Sequence, residues 1–279
     1  MKTPDKAEDT QATRPPAAPQ PSGSQTLQRG LDVIEAVAHG PIALSDLAAR
    51  LGLNRSTTHR LANALVERRY LTFRPRFGYR LGPKVIQLGF IAQSDVDVVR
   101  VARPFLDDLA AVTEDTVHLG IPDEGRALYL DKIPGKRRVE ISSRIGDRQP
   151  LTSTGLGKAL LLDGDPALWY SLFESDDPHG RRAISHSVWL DRMQTYAANG
   201  YAFDLEENED RIRCVAAPIR DAAGEIVAAI SVSSAAQYMA DERMAALSVD
   251  VVATANAISE ELGWDPNAPS PPRRGRPRR

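Results

Sequence analysis

Asn54-Arg55-Ser56-Thr57-Thr58-His59-Arg60 is an unbroken run of hydrogen-bond formers. Arginine and histidine donate to guanine O6 and N7, and serine and threonine bond phosphates or base edges. Such side chains at one helix start suit the reading of duplex DNA. Arg55, Ser56, Thr58, His59 and Arg60 are therefore the candidate base-reading residues. A second basic group follows in "RPRFGYR", where Arg74, Arg76 and Arg80 suit the phosphate backbone or the minor groove. Contacts of that kind supply salt-dependent affinity and little sequence information.

The flanking pattern supplies elements to position them. Leu27, Leu31, Ile34 and Ala38 recur at helical spacing, which predicts one buried helix face. Gly40-Pro41 ends that helix. Leu44, Leu47, Ala48 and Leu51 predict a second helix, stopped by Gly52. Asn54 suits the N-cap of a third, with Thr57, Leu61, Ala64 and Leu65 facing inward. "YLTF" and "GYRL" around a basic turn read as a hairpin. Helix, short turn, helix and basic hairpin make a winged helix-turn-helix, whose second helix enters the major groove. Pro83 opens a further helix with Ile86 and Phe90 on one face.

Charge is distributed to match. The chain of 279 residues carries a net charge of −2, yet residues 24–81 hold nine basic against four acidic side chains. Residues 265–279 hold five arginines and one aspartate, which leaves 82–264 at −11. A basic end and tail on an acidic body point to a polyanionic partner. Residues 1–23 are rich in Pro, Ala, Ser and Gln and predict a disordered tail. No apolar run approaches the roughly 20 residues of a membrane span, and no apolar stretch marks a secretory leader. The single cysteine, Cys214, excludes an internal disulfide and fits a reducing cytoplasm.

The second half reads as α+β. Pro104–Val112 looks helical, and "TVHLGI", "ALYLDKI" and "RVEISSRI" predict strands. "STGLGKALLL" opens a helix, and "SVWLDRMQTYAANG" is a helix stopped by Gly200. "RCVAAPI" and "IVAAISVS" form a hairpin, and Asp241–Leu262 is the closing helix. Consecutive strands joined by short turns predict an antiparallel sheet packed by helices.

From Gln25 to Gly263 the chain resembles IclR-type bacterial transcriptional regulators. The resemblance rests on "SQTLQRGLDVIEAV", "LAARLGL" with "NRSTTHRL", "YRLGPKVIQLG", "PLTSTGLGKALLL", "NGYAFDLEENEDRIRCVAAPI" and "GEIVAAISVSS". It implies a winged helix-turn-helix over 24–82, a dimerising linker helix over 83–98 and a GAF-like effector domain over 99–264. The tails are then 1–23 and 265–279. It also implies a homodimer or tetramer on double-stranded operator DNA and control by a small-molecule carboxylate effector; the expectation is a repressor with neither cofactor, metal nor catalytic residue. "VHLGIPDEGRALYLDKI" and "SRIGDRQPLTSTGLGK" resemble the branch that responds to keto-deoxy sugar acids, which implies a sugar acid. Effector contacts carry over to Gly155, Leu156, Asp204, Cys214, Ser231 and Ser233.

The residues agree in part on physical grounds. A helix start offers free N–H groups to a carboxylate. Ser231 and Ser233 share one strand face. Asp204 accepts from a ligand hydroxyl and should sit away from the ligand's carboxylate. One departure concerns "E-x-G-x-x-C", which here reads "EDRIRC", so the loop at the pocket mouth is expected to differ.

Two other function classes fit less. A constitutive DNA-architectural protein would use the acidic domain for assembly alone. An enzyme would use Cys214 as nucleophile with His118 and Asp204 as base and orienter, but it leaves the basic module unexplained. His39, His59, His118, His179 and His186 show no metal-ligand spacing. In the tail, Arg274-Gly275-Arg276-Pro277 matches the core of minor-groove AT-hook peptides, and the plain alternative is a nonspecific basic tail.

Overall fold

The computed structural model describes residues 25–94, 97–137, 141–176 and 184–267. The N-terminal tail, the AT-hook match and His179 lie outside the described residues. The chain forms two compact units that divide after Ser94.

The first unit contains α1 (Gln25–Ala38), α2 (Leu44–Leu51), α3 (Arg55–Glu67), β1 (Leu71–Arg74), β2 (Gly78–Leu81) and α4 (Pro83–Ser94). Val33, Val37, Leu47, Leu61, Ala62, Leu71 and Tyr79 form its core. The inward stripe of α1 is Val33, Ala36 and Val37, not the expected one, and Leu27 and Leu31 stay 63% and 50% exposed. Both stripes satisfy the helical period, so the neighbouring helices decide between them. A smaller shift occurs in α3, where Thr58, Leu61 and Ala62 are buried while Ala64 is exposed. β1 and β2 pair antiparallel, with Arg74 opposite Gly78. Ile42 and Tyr79 exchange both backbone hydrogen bonds at 2.9 Å, which ties the hairpin to the segment before α2. Gly78 permits that approach, because a Cβ there would lie 2.1 Å from the Ile42 carbonyl oxygen. The expected helix over 83–98 is shorter, since α4 ends at Ser94 and the next helix has its own cap at Asp97.

The second unit contains α5 (Val98–Thr113), β3 (Thr116–Asp123), β4 (Arg126–Ile133), β5 (Arg148–Pro150) and α6 (Gly155–Leu160). It continues with α7 (Pro166–Asp176), α8 (His186–Asn199), β6 (Ala202–Leu205), β7 (Ile212–Arg220), β8 (Ile226–Ala235) and α9 (Asp241–Glu261). The sheet order is β5-β4-β3-β8-β7-β6, with every neighbouring pair antiparallel. The expected strand "RVEISSRI" falls partly outside the described residues, and Ile141–Ile145 forms no strand; β5 takes the sheet edge.

Strand alternation sorts side chains onto two faces. Val117, Leu119, Val215, Ala217, Ile230 and Val232 face α5 and α9 in one apolar core. Ala216 and Ala229 face the opposite way and pack with α6, α7 and α8. By the same alternation His118, Cys214, Ser231 and Ser233 lie on that second face. No helix among the described residues is long and apolar enough to cross a membrane.

Candidate functional site

The first unit presents one polar helix start. Gly52 takes a left-handed conformation at the C-cap of α2, with φ 62°, and turns the chain toward α3. The Asn54 side chain accepts from the Thr57 N–H at 2.8 Å and caps α3. Arg55, Ser56, His59 and Arg60 are exposed at the first turns. Thr58 is not among them. It is fully buried and donates its hydroxyl to the Asn54 carbonyl at 3.0 Å, so it holds the turn and exposes no atom for a base contact. Asn63, one turn beyond His59, brings its amide within 3.3 Å of the His59 ring. Arg74, Arg76 and Arg80 are exposed on the hairpin, and Arg76 adopts φ 70° at its tip.

The second unit holds a cavity of about 320 Å3 on the helix-covered side of the sheet near α6. That volume is at the small end for ligand pockets, which run about 300–1,000 Å3. Strand register builds one wall. Asp204 pairs with Cys214, Cys214 with Ser233, and Ser233 with Thr116, so three candidate residues lie in one row across β6, β7 and β8. Asp204, Cys214 and Ser233 all line the cavity. Ser231 lies in the next row, between His118 and Ala216, and does not line it. Gly155 and Leu156 also stand behind the wall, and Leu156 is fully buried in the core.

The α6 start is less open than a bare helix end. The Gly155 N–H faces the Cys214 sulfur, and the Gly157 N–H donates to Thr154 Oγ1 at 2.9 Å. Thr154, the N-cap, reaches the cavity instead. The sequence reading missed Tyr129, Ser143, Gln149, Asn208 and Glu209, and it weighed His118 only as a catalytic base. Alternation with Val117 and Leu119 carries a signal for His118; the loop residues carry none.

A buried ionic network holds Asp204. Its Oδ1 accepts the Glu207 N–H at 2.8 Å. Glu207 in turn accepts from Lys158 at 2.6 Å and from Arg192 at 2.8 Å. Lys158 is fully buried and also donates to the Phe203 carbonyl at 2.9 Å. Burial pushes the Asp204 carboxyl up to about 6, against the opposing pull of Lys158. Burial, aided by the Asp204 charge, pushes the Cys214 thiol up to about 12. Burial and the Lys132 charge push His118 down to about 3. A thiol held neutral beside such a weak base is not an activated nucleophile.

The family model for the C-terminal domain of bacterial transcriptional regulators of the IclR type matches residues 91–260, and the IclR helix-turn-helix model matches residues 26–75. The chain belongs to the IclR family. Among IclR relatives, the HTH-type transcriptional regulator XynR of Escherichia coli (strain K12) is 31% identical over 254 residues, covering 86% of this chain and 98% of XynR. The DNA-binding transcriptional repressor YiaJ of the same organism is 32% identical over 253 residues, covering 88% and 90%. The crystal structure of the Agobacterium tumefaciens repressor BlcR superposes with a TM-score of 0.73 at 26% identity, covering 88% of this chain and 99% of BlcR. These IclR relatives are regulators of transcription, and the enzyme reading is set aside. The first unit is the helix-turn-helix DNA-binding domain of an IclR regulator, and the second is its C-terminal domain.

Proposed function

We propose that this IclR-family protein is a cytoplasmic repressor that binds an operator as a homodimer or a pair of dimers and is controlled by a small organic acid. The observation that carries the effector half is the row Asp204, Cys214 and Ser233 in one cavity wall. No lysine or arginine lines that cavity among the described residues. The acid is held by hydroxyl and amide donors, chiefly Ser233, Gln149 and Asn208, while the Thr154 hydroxyl is committed to the Pro150 carbonyl at 2.8 Å. Asp204 lies toward the ligand's hydroxyl end. Ligand binding acts on transcription only by favouring one arrangement of the dimer over another. A coupling of about 1–3 kcal/mol, or about 5–150-fold in operator affinity, is the expected size.

On the DNA side, Arg55, Ser56, His59 and Arg60 read base edges, while Arg74, Arg76 and Arg80 hold phosphates. Assembly uses the second apolar stripe of α1 and the outer surface of α4, where Leu27, Leu31, Ile86, Leu88 and Ile91 are exposed. The occupant is a second copy of the same surface, because a two-fold operator needs a two-fold protein. Sedimentation of Ile86→Glu tests that part; an unchanged molecular mass sinks it.

The decisive experiment is footprinting on the DNA upstream of the protein's own gene, with aldonic and short-chain acids added. Protection that an acid relieves in the wild type, but not in Ser233→Ala, is the expected result. Protection indifferent to every acid would favour an architectural protein.

A further inference from the structure

The hairpin tip of the first unit places a large apolar ring among arginines. From Arg68 to Lys84 the chain holds six basic residues and no acidic one. Phe77, inside that stretch and next to Arg76, is 67% exposed. Its N–H donates to the Arg74 carbonyl at 3.1 Å, which closes a four-residue turn. Pro75 at the second position and Arg76 at φ 70° in the third fit a type II turn. The ring therefore stands on a closed, hydrogen-bonded tip with most of its surface in water.

The same hairpin is tied to the base-reading helix. Phe73 on β1 packs against Tyr79 on β2, with ring centroids 5.0 Å apart. The Tyr79 hydroxyl donates to Asn63 Oδ1 on α3 at 3.5 Å, and the Asn63 amide lies 3.3 Å from the His59 ring. The backbone bonds between Tyr79 and Ile42 anchor the other side of the strand. Helix and hairpin are thus fixed to one another. An extended strand advances about 3.3 Å per residue, so the turn at Arg76 stands about 10 Å beyond Tyr79.

We propose that Phe77 is a wedge that enters the minor groove beside the α3 contact, partly unstacks one base step and bends the operator. The proposal rests on reading the hairpin as the phosphate-holding wing, and it deepens that reading. Arginines alone follow the backbone, whereas an apolar side chain inserted at a base step opens it and kinks the duplex toward the major groove. The occupant is duplex DNA, because the unit is a helix-turn-helix domain and its hairpin carries basic charge without acid. With α3 in the major groove, the next minor groove lies half a helical turn away, about 17 Å, and the hairpin carries the ring in that sense. Arg74 and Arg76 then meet the phosphates on either side of the ring. Pyrimidine–purine steps unstack most readily, so Phe77 reads deformability at a position where no hydrogen bond reads a base.

The probe is a duplex enriched from random sequence by the full-length protein. Gel mobility of permuted fragments should show a bend of about 20–90° under the wild type. Phe77→Ala should lose most of that bend while its footprint at saturating protein persists, since an exposed ring can be truncated without unfolding the domain. Phe77→Leu, still apolar, should keep the bend. 2-Aminopurine placed at each adenine in turn should brighten at a pyrimidine–purine step under the wild type and stay dark there under Phe77→Ala. Replacing that step by a stiff A-tract step should weaken the wild type about fivefold or more and Phe77→Ala less than about twofold. A straight duplex under the wild type would overturn the wedge and leave the DNA-binding domain standing. So would an equal bend under wild type and Phe77→Ala, or a bend lost as fully in Phe77→Leu as in Phe77→Ala. Failure to enrich any duplex overturns the operator reading and the wedge together.

Discussion

Gly155 at the start of α6 stands so close to Cys214 on β7 that a Cβ on the glycine would lie 2.5 Å from the Cys214 sulfur. The helix is set against the sheet by this contact between a residue without a side chain and a small polarizable one. Gly155→Ala should therefore cost about 1–3 kcal/mol by overpacking. Adding Cys214→Ala removes the clashing sulfur, so the double variant should be more stable than the sum of the singles allows. Denaturant melts of the four proteins measure the coupling, and strict additivity would mean the helix shifts freely.

Arg211 occupies the third position of "EDRIRC" and adopts φ 63°. The loop thus turns through the left-handed region at a residue that carries a side chain. The β-carbon of an L-residue in this region costs about 1–2 kcal/mol. Arg211→Gly should raise the stability of the second unit by up to about 1 kcal/mol, once the extra freedom of the unfolded chain is offset. A lower midpoint would show that the Arg211 side chain contributes more than its backbone costs.

Effector affinity should depend on pH through Asp204. Its carboxyl, at about 6 in the folded protein, repels an acid ligand when ionised and donates to it when protonated. Affinity should fall as pH rises above 6, by at most about tenfold per pH unit. Glu209, Glu207 and Lys158 surround the same site, so Asp204→Asn is the control, and it should flatten the profile. Gluconate calorimetry between about pH 5.5 and pH 7.5 tests the linkage. A wild-type Kd that does not move across that range would remove Asp204 from contact with the ligand.

His118 should make the second unit acid-sensitive. Its imidazole is at about 3 when folded and at the ordinary 6.5 when unfolded, so the unfolded chain binds the extra proton between those values. Stability contributed by the neutral ring is complete above 6.5 and is lost as pH falls toward 3, on the order of a few kcal/mol. Asp204 acts oppositely: its raised carboxyl adds stability as pH falls from 6 to its ordinary 3.8. His118→Asn should lose the acid sensitivity and expose the rising Asp204 limb. Thermal melts of the two proteins across this range should cross; parallel curves would contradict the assignment.

Arg55 and Arg76 should fail differently on DNA. Arg55→Ala, at the exposed start of α3, should cost about 1–3 kcal/mol and relax base preference at one position. Arg76→Ala, at the hairpin tip, should weaken all sequences alike and reduce the salt slope by about one. Anisotropy titrations on operator variants at several salt concentrations separate the two. The same ranking of variants for wild type and Arg55→Ala would end its role in base reading.

The sequence by itself determined which elements form and which side chains share a face. Caps and breakers such as Asn54, Gly52 and Gly200 act through the few residues around them, so the helix-turn-helix, the hairpin and most of the strands were legible. Strand alternation likewise placed Ser231 and Ser233 on one side. Tertiary structure decided which faces meet. In α1 two apolar stripes obey the same period, and only packing against α2 and α3 selected Val33 over Leu31. The row Asp204, Cys214, Ser233 depends on the register of three strands, which joined Ser233 to the cavity and left Ser231 behind it. His118 and Ser143 lie 25 residues apart, and the Lys132 ammonium, which donates to the Ile141 and Ser143 carbonyls, holds hydroxyl and ring 2.8 Å apart. Local chemistry encodes a cap or an alternation, whereas a cavity wall is set by long-range pairing that no short stretch contains.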